Sequence, residues 1–117
     1  MDIEGHKAIV QFDPEIGMFR GEFLGLSGGA DFCSDSVAGL QREGRLSLKV
    51  YLDGCREEGI EPYRSYSGRF NVRLDPETHE AAALAAAAAD RSLNDWVAQA
   101  IRQATAADGV APARGRR

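Results

Sequence analysis

The chain lacks any apolar run approaching the ~18 residues of a membrane-spanning helix, so no span and no membrane partner are expected. Its start, MDIEGHKAIVQFD, lacks a basic segment followed by an apolar stretch, and reads as cytoplasmic rather than exported. Cysteine is scarce: Cys33 and Cys55 stand alone, without CxxC spacing, and are expected as reduced thiols. Histidine is scarcer in effect, since His6 and His79 are isolated from each other and from the cysteines. Without metal-ligand spacing or a glycine-rich phosphate loop, no metal and no cofactor are expected. A metal nuclease needs several carboxylates converging on one point. Asp13, Glu15, Glu22 and Asp31 lie mostly in turns or alternate with glycine, so the chain does not read as an enzyme.

An overall excess of positive charge is also missing. The 117 residues carry a net charge of −4, which on its face argues against nucleic acid. The charge is unevenly divided, however. Residues 1–62 hold 12 acids and 6 bases, a net −6, and residues 63–117 hold 6 acids and 8 bases, a net +2. An acidic front and a mildly basic back suggest two tasks in one chain.

What is present in the front half is alternation. HKAIVQF (6–12) places Ala8, Val10 and Phe12 on one strand face. Asp13-Pro14-Glu15-Ile16-Gly17 is a turn, and 18–26 alternates again, so the two runs predict an antiparallel hairpin. Ser27-Gly28-Gly29 breaks the chain before a short third strand over 30–33. A helix is expected from Ser34 or Asp35, with Val37, Leu40, Gly44, Leu48, Tyr51, Leu52 and Cys55 on one face. Gly39 and Gly44 each cost about 1 kcal/mol inside a helix, which points to close packing against the sheet or simply to a weak helix. Gly59 ends the helix and Pro62 prevents its resumption. The first domain is therefore expected over 1–60 as β-β-β-α. Residues 61–67 form a linker whose tyrosines, Tyr63 and Tyr66, pack onto a domain.

The back half, 68–106, has a different pattern. RFNVRL alternates strictly, with Phe70, Val72 and Leu74 on one side and Arg69, Asn71 and Arg73 on the other. Asp75-Pro76 is a helix start, with aspartate as N-cap and proline at the first helical position. Asp90-Arg91 forms a turn. Ser92 then caps a second helix in which Leu93, Trp96, Val97, Ala100, Ile101 and Ala104 follow helical spacing. Residues 107–117 show no periodicity and are expected as a disordered basic tail.

One strand and two helices this short cannot bury a core, and a lone strand leaves its backbone unpaired. Two copies solve both problems by pairing their strands antiparallel about a two-fold axis. Phe70, Val72, Leu74, Trp96, Val97 and Ile101 then form the dimer core. The outer ribbon face presents Arg69, Asn71 and Arg73, which suit guanine and adenine edges in a major groove. The second helix offers free amides at Ser92, Leu93 and Asn94, where a phosphate can dock.

SGRFNVRLDPETH…RSLNDWVAQAI resembles the ribbon-helix-helix domains of the Arc/MetJ class of β-ribbon DNA readers. From about 6 to 106 the chain resembles the HicB antitoxin family, through AIVQFDPEIGMFRGEFLGL, DFCSDSV and VYLDGCREEGIEPYRSYSGRF as well. The resemblance implies an α+β fold: a small antiparallel sheet with one helix, HicB-like and partially RNase H-like, followed by a ribbon-helix-helix that forms an intertwined dimer. It implies an antitoxin that neutralises a HicA-like mRNA-cleaving ribonuclease toxin and represses its own operon by binding operator DNA. The partners are thus operator DNA, the toxin and a second copy, with higher oligomers left open. An acidic first domain suits a basic RNA-cutting partner. This sequence departs from the family at Thr78 and Ala82, where leucines are usual, at Leu84, usually polar, and at Asp90, usually glycine. A bulky residue is also common near Gly44. A stand-alone repressor with a ligand- or protein-sensing first domain is the alternative reading.

Overall fold

The computed structural model describes residues 1–110. The chain is α+β, with β1 (Asp2–Ile3), β2 (His6–Asp13), β3 (Met18–Phe23), β4 (Asp31–Ser34), α1 (Val37–Glu58), α2 (Pro76–Ala88) and α3 (Leu93–Ala107). It divides into two compact units, one holding residues 1–66 and the other starting at Ser67. The part of the expected basic tail at 111–117 lies outside the described residues.

In the first unit the four strands form one antiparallel sheet in the order β1-β2-β3-β4. Register follows the alternation of the sequence, pairing Ala8 with Phe23, Val10 with Gly21 and Phe12 with Phe19 across β2 and β3. β4 continues the ladder, with Gly21 opposite Phe32 and Phe19 opposite Ser34. The expected hairpin and third strand are therefore present. β3 stops at Phe23, short of the 18–26 run, and β1 adds a two-residue edge strand that alternation could not reveal.

Ile3, Ala8, Phe23, Leu26, Ala30, Phe32, Leu40, Leu48 and Tyr63 make up the core between the sheet and α1. The helix starts at Val37, later than the expected Ser34 or Asp35, with Ser36 as N-cap, whose hydroxyl accepts from the Gly39 amide at 3.0 Å. Val37, expected on the apolar face, is exposed, although Gly39 in the same turn is buried. The helical glycines mark contact points. A Cβ at Gly39 would collide with the Ser34 hydroxyl, and one at Gly44 would collide with Ile3 and crowd the Phe32 ring. The helix backbone thus lies directly on β4 and β1, which accounts for two residues that weaken an isolated helix. Gly59, at φ 69°, closes α1 in the left-handed conformation, as its position predicts.

The segment read as a linker is stitched to this unit. Tyr63 bridges to Leu26, the Ser27 amide donates to the Pro62 carbonyl at 2.9 Å, and the Arg64 amide donates to the Gly25 carbonyl at 2.9 Å. The Tyr51 hydroxyl donates to the Pro62 carbonyl, and the Gly28 amide donates to Tyr51. Tyr63 itself stacks on the buried ring of His6, with centroids 5.7 Å apart. His6 Nδ1 faces the Glu4 carbonyl at 3.0 Å; a carbonyl only accepts, so Nδ1 carries the proton. In the neutral ring Nε2 then accepts from the Tyr63 hydroxyl at 2.9 Å. Tyr63 therefore packs as its linker position predicts, whereas Tyr66 is largely exposed.

Tyr63→Phe keeps the ring and removes the hydroxyl, leaving a buried imidazole nitrogen unsatisfied. We expect a loss of ~1–3 kcal/mol in denaturant unfolding of the first unit. An unchanged midpoint would show that the hydroxyl does not hold the segment down.

Candidate nucleic-acid interface

The second unit is built from three local decisions. Asp75 caps α2: its carboxylate accepts from the Thr78 amide at 3.2 Å and from the Thr78 hydroxyl at 2.6 Å. Those two bonds favour the ionised form and hold the Asp75 carboxyl below its ordinary range. Pro76 occupies the first helical position, where its missing N–H costs nothing. After α2 the chain reverses through Asp90, at φ 54°, the left-handed conformation expected where a glycine is usual. The Arg91 amide closes the turn onto the Ala86 carbonyl at 2.9 Å. Ser92 caps α3, accepting from the Asp95 amide at 3.0 Å.

Residues 69–74 do not form a strand in the single chain. The alternation is present, but a strand is defined by its ladder, and no segment among the described residues pairs with it. The consequence is exposure: Phe70, Val72 and Leu74 are 69%, 60% and 47% accessible. Val72 and Leu74 line an open apolar groove of about 720 Å³ between the segment and the two helices, together with Leu93, Trp96, Val97 and Ile101. Phe70 and Val72 also line a second groove of about 580 Å³ along α3, with Asn94, Val97 and Ile101. The residues assigned to a dimer core are therefore brought together, but left uncovered. Only Ala82 and Ala86 are buried among the described residues of this unit, and α3 has no buried residue at all.

The polar half of the alternation behaves differently. Asn71 and Arg73 line neither groove, and Arg69 lines only the second. All three are exposed; the Ser67 hydroxyl bonds to the Arg69 backbone, but among the described residues no hydrogen bond or ion pair engages the three side chains. At the start of α3, Leu93 and Asn94 are exposed beside the Ser92 cap, and the first helical amides have no intrahelical acceptor. Asn71 and Arg73 thus stand apart from the apolar grooves, whereas Arg69, Leu93 and Asn94 border them.

Sequence reasoning missed part of the apolar lining. Thr78, His79, Ala81, Ala82 and Ala85 of α2 face the larger groove. The signal was available in their helical spacing from Pro76, but an alanine-dense helix offers little contrast between its faces. Among the described residues no group of three or more His, Cys, Asp or Glu side chains converges to hold a metal ion. No described helix is long and apolar enough to cross a membrane.

Comparison with known proteins gives one match. Residues 51–101 match the HicB family. The matched stretch takes in the end of α1, the Tyr63 segment, the extended residues 69–74, α2 and most of α3. Residues 1–50 lie outside it. Neither the curated proteins nor the solved structures yield a match to the chain.

Proposed function

We propose that this chain is a HicB-type antitoxin: its first unit binds and neutralises a HicA-like ribonuclease toxin, and its second unit binds operator DNA as a ribbon-helix-helix dimer. The observation that carries this reading is the uncovered apolar face of Phe70, Val72 and Leu74 on an extended segment without a ladder, inside the stretch that matches the HicB family. A second copy satisfies both deficits at once. Antiparallel pairing supplies the missing backbone partners, and the two apolar grooves close on each other. The same pairing doubles Arg69, Asn71 and Arg73 on the outer face, where a two-stranded ribbon fits a major groove. Phosphates flanking the groove dock at the capped starts of the two α3 helices.

The antitoxin half of the reading is supported by the family match and by the charge division. An acidic surface favours encounter with a basic RNA-binding protein and disfavours RNA itself. The test uses the full chain. A neighbouring gene should encode a HicA-type protein with which the chain forms a stable complex that suppresses RNA cleavage. The chain should also retard the DNA upstream of its own gene, with affinity falling steeply as salt rises. Retardation of that DNA without any effect on a neighbouring ribonuclease would favour the stand-alone repressor. Failure on both counts would remove the proposal.

A further inference from the structure

The first unit carries an aromatic feature that its own core does not use. Phe12 and Phe19 face each other in the β2–β3 register, with ring centroids 5.5 Å apart in an edge-to-face arrangement. Alternation puts them on the same sheet face as Ala8, Gly21 and Phe23, which lie under α1. Yet Phe12 is 56% and Phe19 37% exposed. The reason lies in where the helix comes down. In the row Phe12, Phe19, Ser34, the helix backbone at Gly39 lies against Ser34, while Phe12 and Phe19 stay exposed. The helix then crosses the rows nearer Ile3 and Phe32. The hairpin end of the sheet is left bare, with exposed Ile16 in the turn and exposed Val37 at the start of α1.

The fringe of this patch is acidic. Glu15 stands in the turn two residues past Asp13, and Asp35 follows Ser34 directly. Asp13 is neutralised by Arg20 at 3.2 Å, and both belong to the opposite sheet face by alternation. The patch sits in a segment, 1–62, whose net charge is −6. Aromatic side chains surrounded by charge are the usual anchors of a protein interface. The charge selects the partner. A phosphate backbone is repelled, and a two-fold contact between copies would bring two acidic fringes together. A basic protein surface is favoured on both counts.

We infer that the Phe12–Phe19 pair is the anchor of the toxin-binding surface, with Glu15 and Asp35 steering a basic partner onto it; this rests on the antitoxin reading above. The experiment compares the full-length chain with Phe12→Ser/Phe19→Ser and with Glu15→Lys. Binding to the HicA-type protein encoded beside it, used as a catalytically inactive variant, is measured alongside melting, oligomeric state and operator affinity. The double variant should weaken toxin binding at least about tenfold while operator affinity and oligomeric state stay unchanged. Glu15→Lys, which leaves the apolar contact intact, should slow association at low salt and lose that effect at high salt. If the wild-type chain binds the toxin and both variants bind it equally well, the site assignment is overturned while the antitoxin reading stands. If the double variant instead alters self-association and leaves toxin binding intact, the patch joins copies of this chain and the inference is wrong. A wild-type chain that binds no such protein overturns the antitoxin reading, and this inference with it.

Discussion

Val72→Asp is expected to abolish dimerisation and unfold the second unit at concentrations where the wild-type chain is folded. Val72 is the middle residue of the apolar alternation and lines both grooves of its unit. In a paired ribbon it sits near its symmetry mate beneath the helices, so the substitution introduces two carboxylates into one apolar core. Burying an unpaired polar group costs several kcal/mol, and a carboxylate costs more unless it takes up a proton. With only Ala82 and Ala86 buried among its described residues, the unit has little internal stability to offset that cost. The same substitution discriminates sharply against a monomer. At a position 60% exposed and without partners, an aspartate would change stability by no more than about 0.5 kcal/mol. Sedimentation and concentration-dependent melting separate the two outcomes, because only a dimer shows a melting temperature that rises with protein concentration. A Val72→Asp chain that stayed dimeric with unaltered melting would rule out the paired ribbon.

Asn71→Ala should lower operator affinity by ~2–6 kcal/mol while leaving binding to random DNA nearly intact. Asn71 is the central polar residue of the alternation, it faces neither groove, and it bears no charge. It therefore contributes little to non-specific attraction, which rests on phosphate neutralisation. Its amide can donate to and accept from the edge of adenine, and one good bidentate contact is worth ~1–3 kcal/mol of discrimination. A two-fold ribbon presents the residue twice, which doubles the figure. Arg69→Ala and Arg73→Ala should behave differently, weakening specific and random binding together and flattening the salt dependence wherever either side chain touches phosphate. The measurement is binding to operator and random DNA at several salt concentrations, with dimerisation checked for each variant. Full operator preference in a folded, dimeric Asn71→Ala chain would mean that another surface reads the bases.

These two positions also show why exposure in one chain has two meanings. Phe70, Val72 and Leu74 are exposed apolar groups that line the two grooves; Asn71 and Arg73, also exposed, line neither. Accessibility alone does not separate them, but chemistry and groove lining do.

Much of the molecule was legible in the sequence because its causes are local. The caps at Asp75 and Ser92 are hydrogen bonds across three residues, and the stop at Gly59 and the turn at Asp90 are single left-handed residues. The β2–β3 hairpin follows from two alternating runs joined by Asp-Pro-Glu-Ile-Gly. Tertiary structure decided what depends on distant partners. Tyr63 reaches back to His6 across 57 positions and draws a nominal linker onto the first unit. Gly39 and Gly44, costly to an isolated helix, are explained only by the backbone-to-sheet contacts they permit. Val37 falls on the right helical face yet stays exposed, and Phe12 and Phe19 fall on the right sheet face yet stay half bare, because periodicity assigns a face but not how far its cover extends. The segment 69–74 is the limiting case: sequence determines its alternation, but among the described residues it has no ladder, since backbone pairing is a property of two segments and never of one.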